Sequence, residues 1–163
     1  MKENSISSEE EKRLTEAREK SPYVLTLEKN GFDYPIPDLI GASRFIMVDR
    51  DTVGSKELSF MYSKFDGKTS IHHKHKHDDC EEVMYIASGR GVGGVGDHES
   101  IQQAGDVIFV PRGAVHWFYN PFDEPLEMWT VYSKPSLRAA GYSLESSGYS
   151  NVGAQVESRQ FDR

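Results

Sequence analysis

Gly105-Asp106-Val107-Ile108-Phe109-Val110-Pro111-Arg112-Gly113-Ala114-Val115-His116-Trp117-Phe118-Tyr119-Asn120 reads as strand, turn and returning strand. The apolar run Val107 to Val110 suits a short strand, and Pro111 ends it because proline has no N–H to give to a ladder. Gly113 permits a sharp turn, after which His116-Trp117-Phe118-Tyr119 resumes extended structure. That geometry carries a single histidine back into the interior of a sheet. Asn120-Pro121 closes the segment with a further turn signal.

Five of the six histidines stand at positions 72, 73, 75, 77 and 116, and only His98 stands apart. In Ile71-His72-His73-Lys74-His75-Lys76-His77, side chains on a strand alternate between faces. His73, His75 and His77 are therefore expected on one face, with His72, Lys74 and Lys76 on the other. Two imidazoles two residues apart on a strand lie close enough to bind one ion. A carboxylate past the next turn, Glu81 or Glu82, is available to join them from a neighbouring strand. Spacing alone leaves a plainer alternative, a His/Lys-rich surface that traps metal without a built site.

The same texture surrounds these two stretches. Short runs such as Arg44–Val48, Glu57–Phe65, Glu82–Ile86, Asp106–Val110, His116–Tyr119 and Leu126–Tyr132 suit strands, separated by turn signals such as Asp66-Gly67, Ser88-Gly89 and Gly96-Asp97. Many short strands with no helical period between them point to an all-β antiparallel sandwich or barrel. Ahead of this region, Ser7 or Ser8 precedes Glu9-Glu10-Glu11, and basic residues come later. This pattern predicts a helix over residues 8–20, ended by Ser21-Pro22. Leu14 and Ala17 are its only apolar candidates, so it docks loosely or packs on a partner subunit. Residues 1–22 thus form a polar helical arm, 23–133 the β-domain and 134–163 a polar, Gly/Ser-rich extension where no chemistry is placed.

Composition bounds the function. The 163 residues fit one domain, 37% hydrophobic and 28% charged, with the balance of a globular protein. A net charge of −7 argues against a broad nucleic-acid footprint. No apolar run is long enough for a membrane span or a signal segment, which makes the cytoplasm the expected location. The lone Cys80 leaves no intrachain disulfide and fits a reducing compartment. It reads as an ordinary turn residue in preference to a redox-sensitive thiol or an extra ligand.

On these residues the chain resembles the cupin superfamily. The second cupin motif spaces Gly, Pro, Gly, His and Asn as Gly105, Pro111, Gly113, His116 and Asn120 stand here, without a gap. The end of the first motif matches Glu82 and Gly89, with His75-Lys76-His77 four residues before Glu82. Gly67 departs from the pattern: it lies five residues before His73, which favours His73 with His75. The glutamate spacing favours His75 with His77, and Glu81 would point away from Glu82. Fifteen residues, Arg90 to Ala104, link the two motifs. The resemblance covers roughly residues 44–133. It implies a conical jelly-roll β-barrel, often a homodimer, with a metal held inside by His75, His77, Glu82 and His116, and His73 as the alternative ligand.

Three neutral imidazoles and one carboxylate would leave a divalent ion with a single positive charge and about two open positions of an octahedron. Iron, manganese, nickel, zinc, cobalt and copper all tolerate this set. The resemblance points to Fe(II) or Mn(II) first. Met84 and Ile86 share parity with Glu82, and Phe118 with His116, so an apolar wall is expected beside the metal. Met84 and Phe118 are the candidate substrate-pocket residues, although inward apolar residues are also ordinary core. Arg112, at the turn, reads as a surface arginine. The resulting expectation is a metal-dependent enzyme on a small organic molecule, an oxygenase first. The alternatives are a lyase, decarboxylase or isomerase using the ion as a Lewis acid, and a non-enzymatic ligand-binding cupin.

Overall fold

The computed structural model describes residues 5–34 and 39–144. The Gly/Ser-rich part of the C-terminal extension lies outside the described residues. In chain order the elements are α1 (Ser8–Lys20), α2 (Leu27–Asn30), β1 (Phe32–Asp33), β2 (Leu39–Ile40), β3 (Ala42–Val48), β4 (Ser59–Phe65) and β5 (Ile71–Lys76). There follow β6 (Glu82–Ser88), β7 (Arg90–Val95), β8 (His98–Gln103), β9 (Val107–Val110), β10 (His116–Tyr119), β11 (Leu126–Tyr132), α3 (Leu137–Ala140) and β12 (Ser143–Leu144).

The strands form two antiparallel sheets. The first runs β1-β3-β4-β11-β6-β9; the second runs β12-β5-β10-β7-β8, with β2 also paired to β5. Apolar residues from both sheets meet between them. Phe65, Met84, Ile86, Val110, Leu126 and Met128 of the first pack with Leu39 and Phe118 of the second. The result is the mainly antiparallel β fold that the strand pattern predicts, with a short N-terminal helix, in the jelly-roll arrangement that the family resemblance implies. The helix falls on residues 8–20 as expected, capped by Ser7, whose side chain accepts from the Glu10 N–H. None of its residues is buried.

Strand β6 alternates cleanly, with Glu82, Met84 and Ile86 buried and Val83 and Tyr85 exposed. Its neighbour β9 pairs Glu82 with Val110, and β11 pairs Tyr132 with Glu82 on the other side. The glutamate is thereby set at the inner end of a central strand.

Two features differ from the sequence reading. The stretch expected as a linker, Arg90 to Ala104, contains the hairpin β7–β8, joined at Gly96-Asp97. Its glycines hid it, since glycine is a poor strand former. They are there for space. A Cβ at Gly91 would lie 2.2 Å from the Phe118 ring, and one at Gly94 would lie 2.1 Å from the Trp117 ring. The second difference is a bulge in β5. His75 pairs with His116 but His72 pairs with Phe118, so two residues, His73 and Lys74, stand opposite Trp117. One extra residue reverses the alternation beyond it. His72 therefore shares the inner face with His75, and the expected grouping of His73 with His75 and His77 is corrected.

Candidate metal centre

Three segments bring the inner-face groups together. The end of β5 supplies His75, the residue just beyond it supplies His77, and the start of β6 supplies Glu82 after the Asp78–Glu81 turn. His116 opens β10 directly opposite His75. The turn ahead of it is tied to the first cluster, since the Gly113 N–H donates to the His77 carbonyl at 2.9 Å. Gly113 has φ +74, a left-handed backbone that glycine adopts without strain.

The ligand atoms of His75, His77, Glu82 and His116 all lie within 4.8 Å of one another, and all four residues are buried. Each imidazole is oriented by a backbone carbonyl. Nδ1 of His75 lies 2.7 Å from the His73 oxygen, Nδ1 of His77 2.5 Å from the Gly141 oxygen, and Nδ1 of His116 3.1 Å from the Ala114 oxygen. A ring donating from Nδ1 presents an unprotonated Nε2, the form that ligates metal. The Nε2 atoms of all three rings and Oε2 of Glu82 are buried without a hydrogen-bond partner. His116 Nε2 stands 2.9 Å and His77 Nε2 3.6 Å from Glu82 Oε2. Lone pairs facing at such distances repel unless a cation or proton lies between them. The donor set, its burial and its orphaned atoms fit a divalent ion.

Electrostatics follow the same geometry. Burial, with the charges of neighbouring Arg44 and His116, pulls His72 well below the ordinary 6.5. Burial likewise lowers His75 strongly, with His72 and His116 adding to it. At His77 burial outweighs the attraction of Glu82, and the net shift is downward. At His116 burial also lowers, but the adjoining Glu82 carboxylate prevails and raises it. Glu82 itself is raised by burial and brought below its ordinary value by His116, His77 and Arg44.

His73 is buried, and its carbonyl orients His75, but its side chain is not among the four that converge. His98 lies exposed on β8. Met84 and Phe118 sit in the inter-sheet core, where Phe118 meets Phe65 edge-on with ring centres 5.0 Å apart. Arg112 is exposed, as expected of a surface arginine. Cys80 is buried, and desolvation with the nearby Glu82 charge pushes its thiol up to about 11, so it stays protonated and unreactive.

Sequence reading passed over several groups that the fold places here. The segment after Ser133 was expected to carry no chemistry, yet α3 and β12 return it to β5. Gly141 holds His77, and the Tyr142 ring lies over His75 at 4.9 Å and His77 at 5.6 Å between ring centres. Tyr132 is fully buried beside Glu82, and burial with that charge keeps it a phenol. His72 lies against His75, ring centres 4.0 Å apart and the planes tilted by 31°. Arg44, inward on β3, is buried with its Nε donating to Ser63 Oγ at 3.0 Å. No local signal marks these residues; a parity count carried across β3 and β11 would have put Arg44 and Tyr132 inside.

Facing antiparallel sheets that enclose a histidine–glutamate cluster define a cupin-type jelly roll. The family model described as a cupin domain matches residues 61–132, and over that stretch the chain is similar to the cupin superfamily. An acireductone dioxygenase from Frankia alni is 43% identical over 49 residues, a match spanning 28% of this chain and 23% of the relative. Among solved structures, a Lactobacillus farciminis oxalate decarboxylase in a formate complex superposes with a TM-score of 0.61 at 21% identity, covering 72% of this chain and 34% of that one. A predicted oxalate decarboxylase from Thermotoga maritima gives 0.60 at 22% identity, covering 69% of this chain and 99% of that one. At these identities the structures establish the fold.

Proposed function

We propose that the chain is a metal-dependent cupin enzyme acting on a small organic substrate, with one divalent ion held by His75, His77, Glu82 and His116. The observation that carries this reading is the convergence of four buried, unpartnered ligand atoms on rings already oriented through Nδ1. When bound, the ion would supply Lewis acidity and, as Fe(II) or Mn(II), redox capacity at the positions the side chains leave open.

The chain's own residues do the rest. The backbone carbonyls of His73, Ala114 and Gly141 hold the Nδ1 protons and keep each ring in register. The inter-sheet core, including Met84 and Phe118, limits water access and forms the apolar side of the substrate pocket. Tyr142 caps the histidines, and Tyr132 sets its O–H beside Glu82.

Within this reading the reaction is an oxygenation, supported by the short match to a dioxygenase. Oxygen consumption by the Fe(II)-loaded protein is the test. Substrate-dependent uptake supports the oxygenase, whereas turnover without uptake assigns the site to Lewis-acid chemistry such as decarboxylation or isomerisation. Absence of any bound metal at near-stoichiometric loading would reject the enzyme reading as a whole. A homodimer in the cytoplasm belongs to the same proposal, with 23–133 as the catalytic domain and 1–22 and 134–163 as its extensions.

A further inference from the structure

Arg44 is the least explained charge in the interior. It projects from β3 in a cross-strand row with Ser63, Met128 and Ile86, the last two being core residues of the first sheet. It is 3% exposed. Its Nε donates to Ser63, but among the described residues no carboxylate lies within ion-pair distance, and its terminal nitrogens find no acceptor. An arginine buried to this extent is ordinarily matched by a carboxylate or by several acceptors. Here the planar fork, five N–H groups fixed in one geometry, is mostly unused.

Its surroundings lead toward the metal cluster. The next row along the sheet holds Thr130, whose Oγ1 is buried and unpartnered, between Met61 and Met84. One row further lie Tyr132 and Glu82. From the opposite sheet His72 presents a buried, unpartnered Nε2. The charge of Arg44 reaches His72 foremost and, behind other causes, His77, Glu82 and His116, in line with its place on the inner face of the first sheet, so that these groups share that space. Counting charges, a divalent ion, Glu82 and Arg44 together leave two positive charges in that space. An uncharged substrate would leave both uncompensated.

We propose that Arg44 is the substrate-binding arginine of this site and that its substrate carries a carboxylate, gripped by the free edge of the guanidinium while another oxygen of the same molecule reaches the metal. This rests on the metal reading above and narrows its substrate class from small organic molecules to small carboxylates. The apolar walls at Met84 and Phe118 then accommodate the remainder of the molecule. Thr130 and His72 stand where they bind its polar groups.

The test uses two probe pairs of different size, pyruvate with pyruvamide and salicylate with salicylamide. Each is titrated calorimetrically into the Mn(II)-loaded full chain and into the metal-free chain. The expected result is that wild type prefers at least one carboxylate over its amide by about ten- to a hundred-fold, the range of a charge-assisted hydrogen-bonded pair. Arg44→Met should abolish that preference with amide binding and Mn(II) stoichiometry unchanged, and Arg44→Lys should keep only part of it. If Arg44→Met does not fold, Ser63→Ala, which frees the Nε anchor, should still weaken carboxylate binding several-fold relative to the amide. Equal affinity for acid and amide in wild type, or a preference that survives all these variants, overturns the proposal even where Mn(II) binds fully. A chain that takes up no Mn(II) yet keeps an Arg44-dependent preference rejects the metal reading, and with it the metal-bound oxygen, and supports the Arg44–carboxylate pair by itself.

Discussion

The three Nδ1–carbonyl contacts are where residue chemistry decides the behaviour of the site. They hold Nε2 of each histidine free and pointed inward, so loss of one ring removes a ligand without a ready substitute. His116→Ala and Glu82→Ala should each drop bound metal from about one ion per chain to a small fraction, read by elemental analysis after dialysis. His73→Ala should keep the full stoichiometry, because the bulge leaves the His73 side chain outside the four converging ligands. The same burial sets the pH response. His72 and His75 have folded pKa values well below 6.5, so below that pH the unfolded chain binds protons that the folded chain refuses. Their contribution to stability is complete above 6.5 and is lost as pH falls. His116, shifted upward, acts in the opposite sense, stabilising below 6.5 and losing that contribution as pH rises through its folded value. Two strongly lowered rings, with His77 also lowered, outweigh one raised ring. The metal-free protein should therefore lose stability between pH 7 and 5, by up to about 1.4 kcal/mol per pH unit for each lowered histidine. Denaturant melts across that range test it, and His72→Gln should flatten the slope.

Among the elements, β10 carries the heaviest constraint. All four of its residues are buried, His116 and Phe118 toward the core and Trp117 and Tyr119 into a second cluster with Ile71. Strand β7 accepts this crowding by being glycine-rich. Gly94→Ala would drive a methyl group into the Trp117 indole, whose Nε1 is also engaged by Glu99 at 2.8 Å. The cost should be about 1–3 kcal/mol, and because Trp117 adjoins His116, metal affinity should fall with stability. Gly96→Ala is the internal control for the added methyl, since nothing lies within 4 Å of a Cβ there, although its φ of +61 adds a smaller backbone penalty. Equal losses in the two variants, read from chemical denaturation, would remove the packing argument. Strand β7 was illegible in sequence for the same reason that it matters: the glycines that erase its strand signal are those that make room for β10. The bulge in β5 was equally hidden, because an inserted residue shows only in the pairing with β10.

At the scale of the whole molecule, the outer face of the first sheet is left apolar in two continuous rows. Phe45, Tyr62, Trp129, Tyr85 and Val107 form one, and Phe60, Val131, Val83 and Phe109 the other. Val83, Tyr85, Val107 and Phe109 are exposed, Phe109 to 54%. Six strands at about 4.8 Å spacing and up to seven residues at about 3.4 Å give a face of at most roughly 700 Å², the order of one side of a stable interface. A second copy of this chain is the expected occupant, which agrees with the homodimer proposed above. Light scattering should give twice the 18.4 kDa chain mass, and Phe109→Asp should return the monomer with metal binding intact. A monomeric wild type would reject it. Sequence by itself determined the strand-rich class, the helix at residues 8–20, and the spacing that sets His116, Glu82 and a histidine pair in line for one site. Those features rest on local alternation, caps and turns, which act over a few residues and are written in order. Only the tertiary structure decided that His72 rather than His73 faces inward, that Arg44 and Tyr132 share the interior, and that Gly141 and Tyr142 return to hold and cover the histidines. These depend on strand register and on contacts between segments up to about a hundred residues apart, which no local pattern encodes.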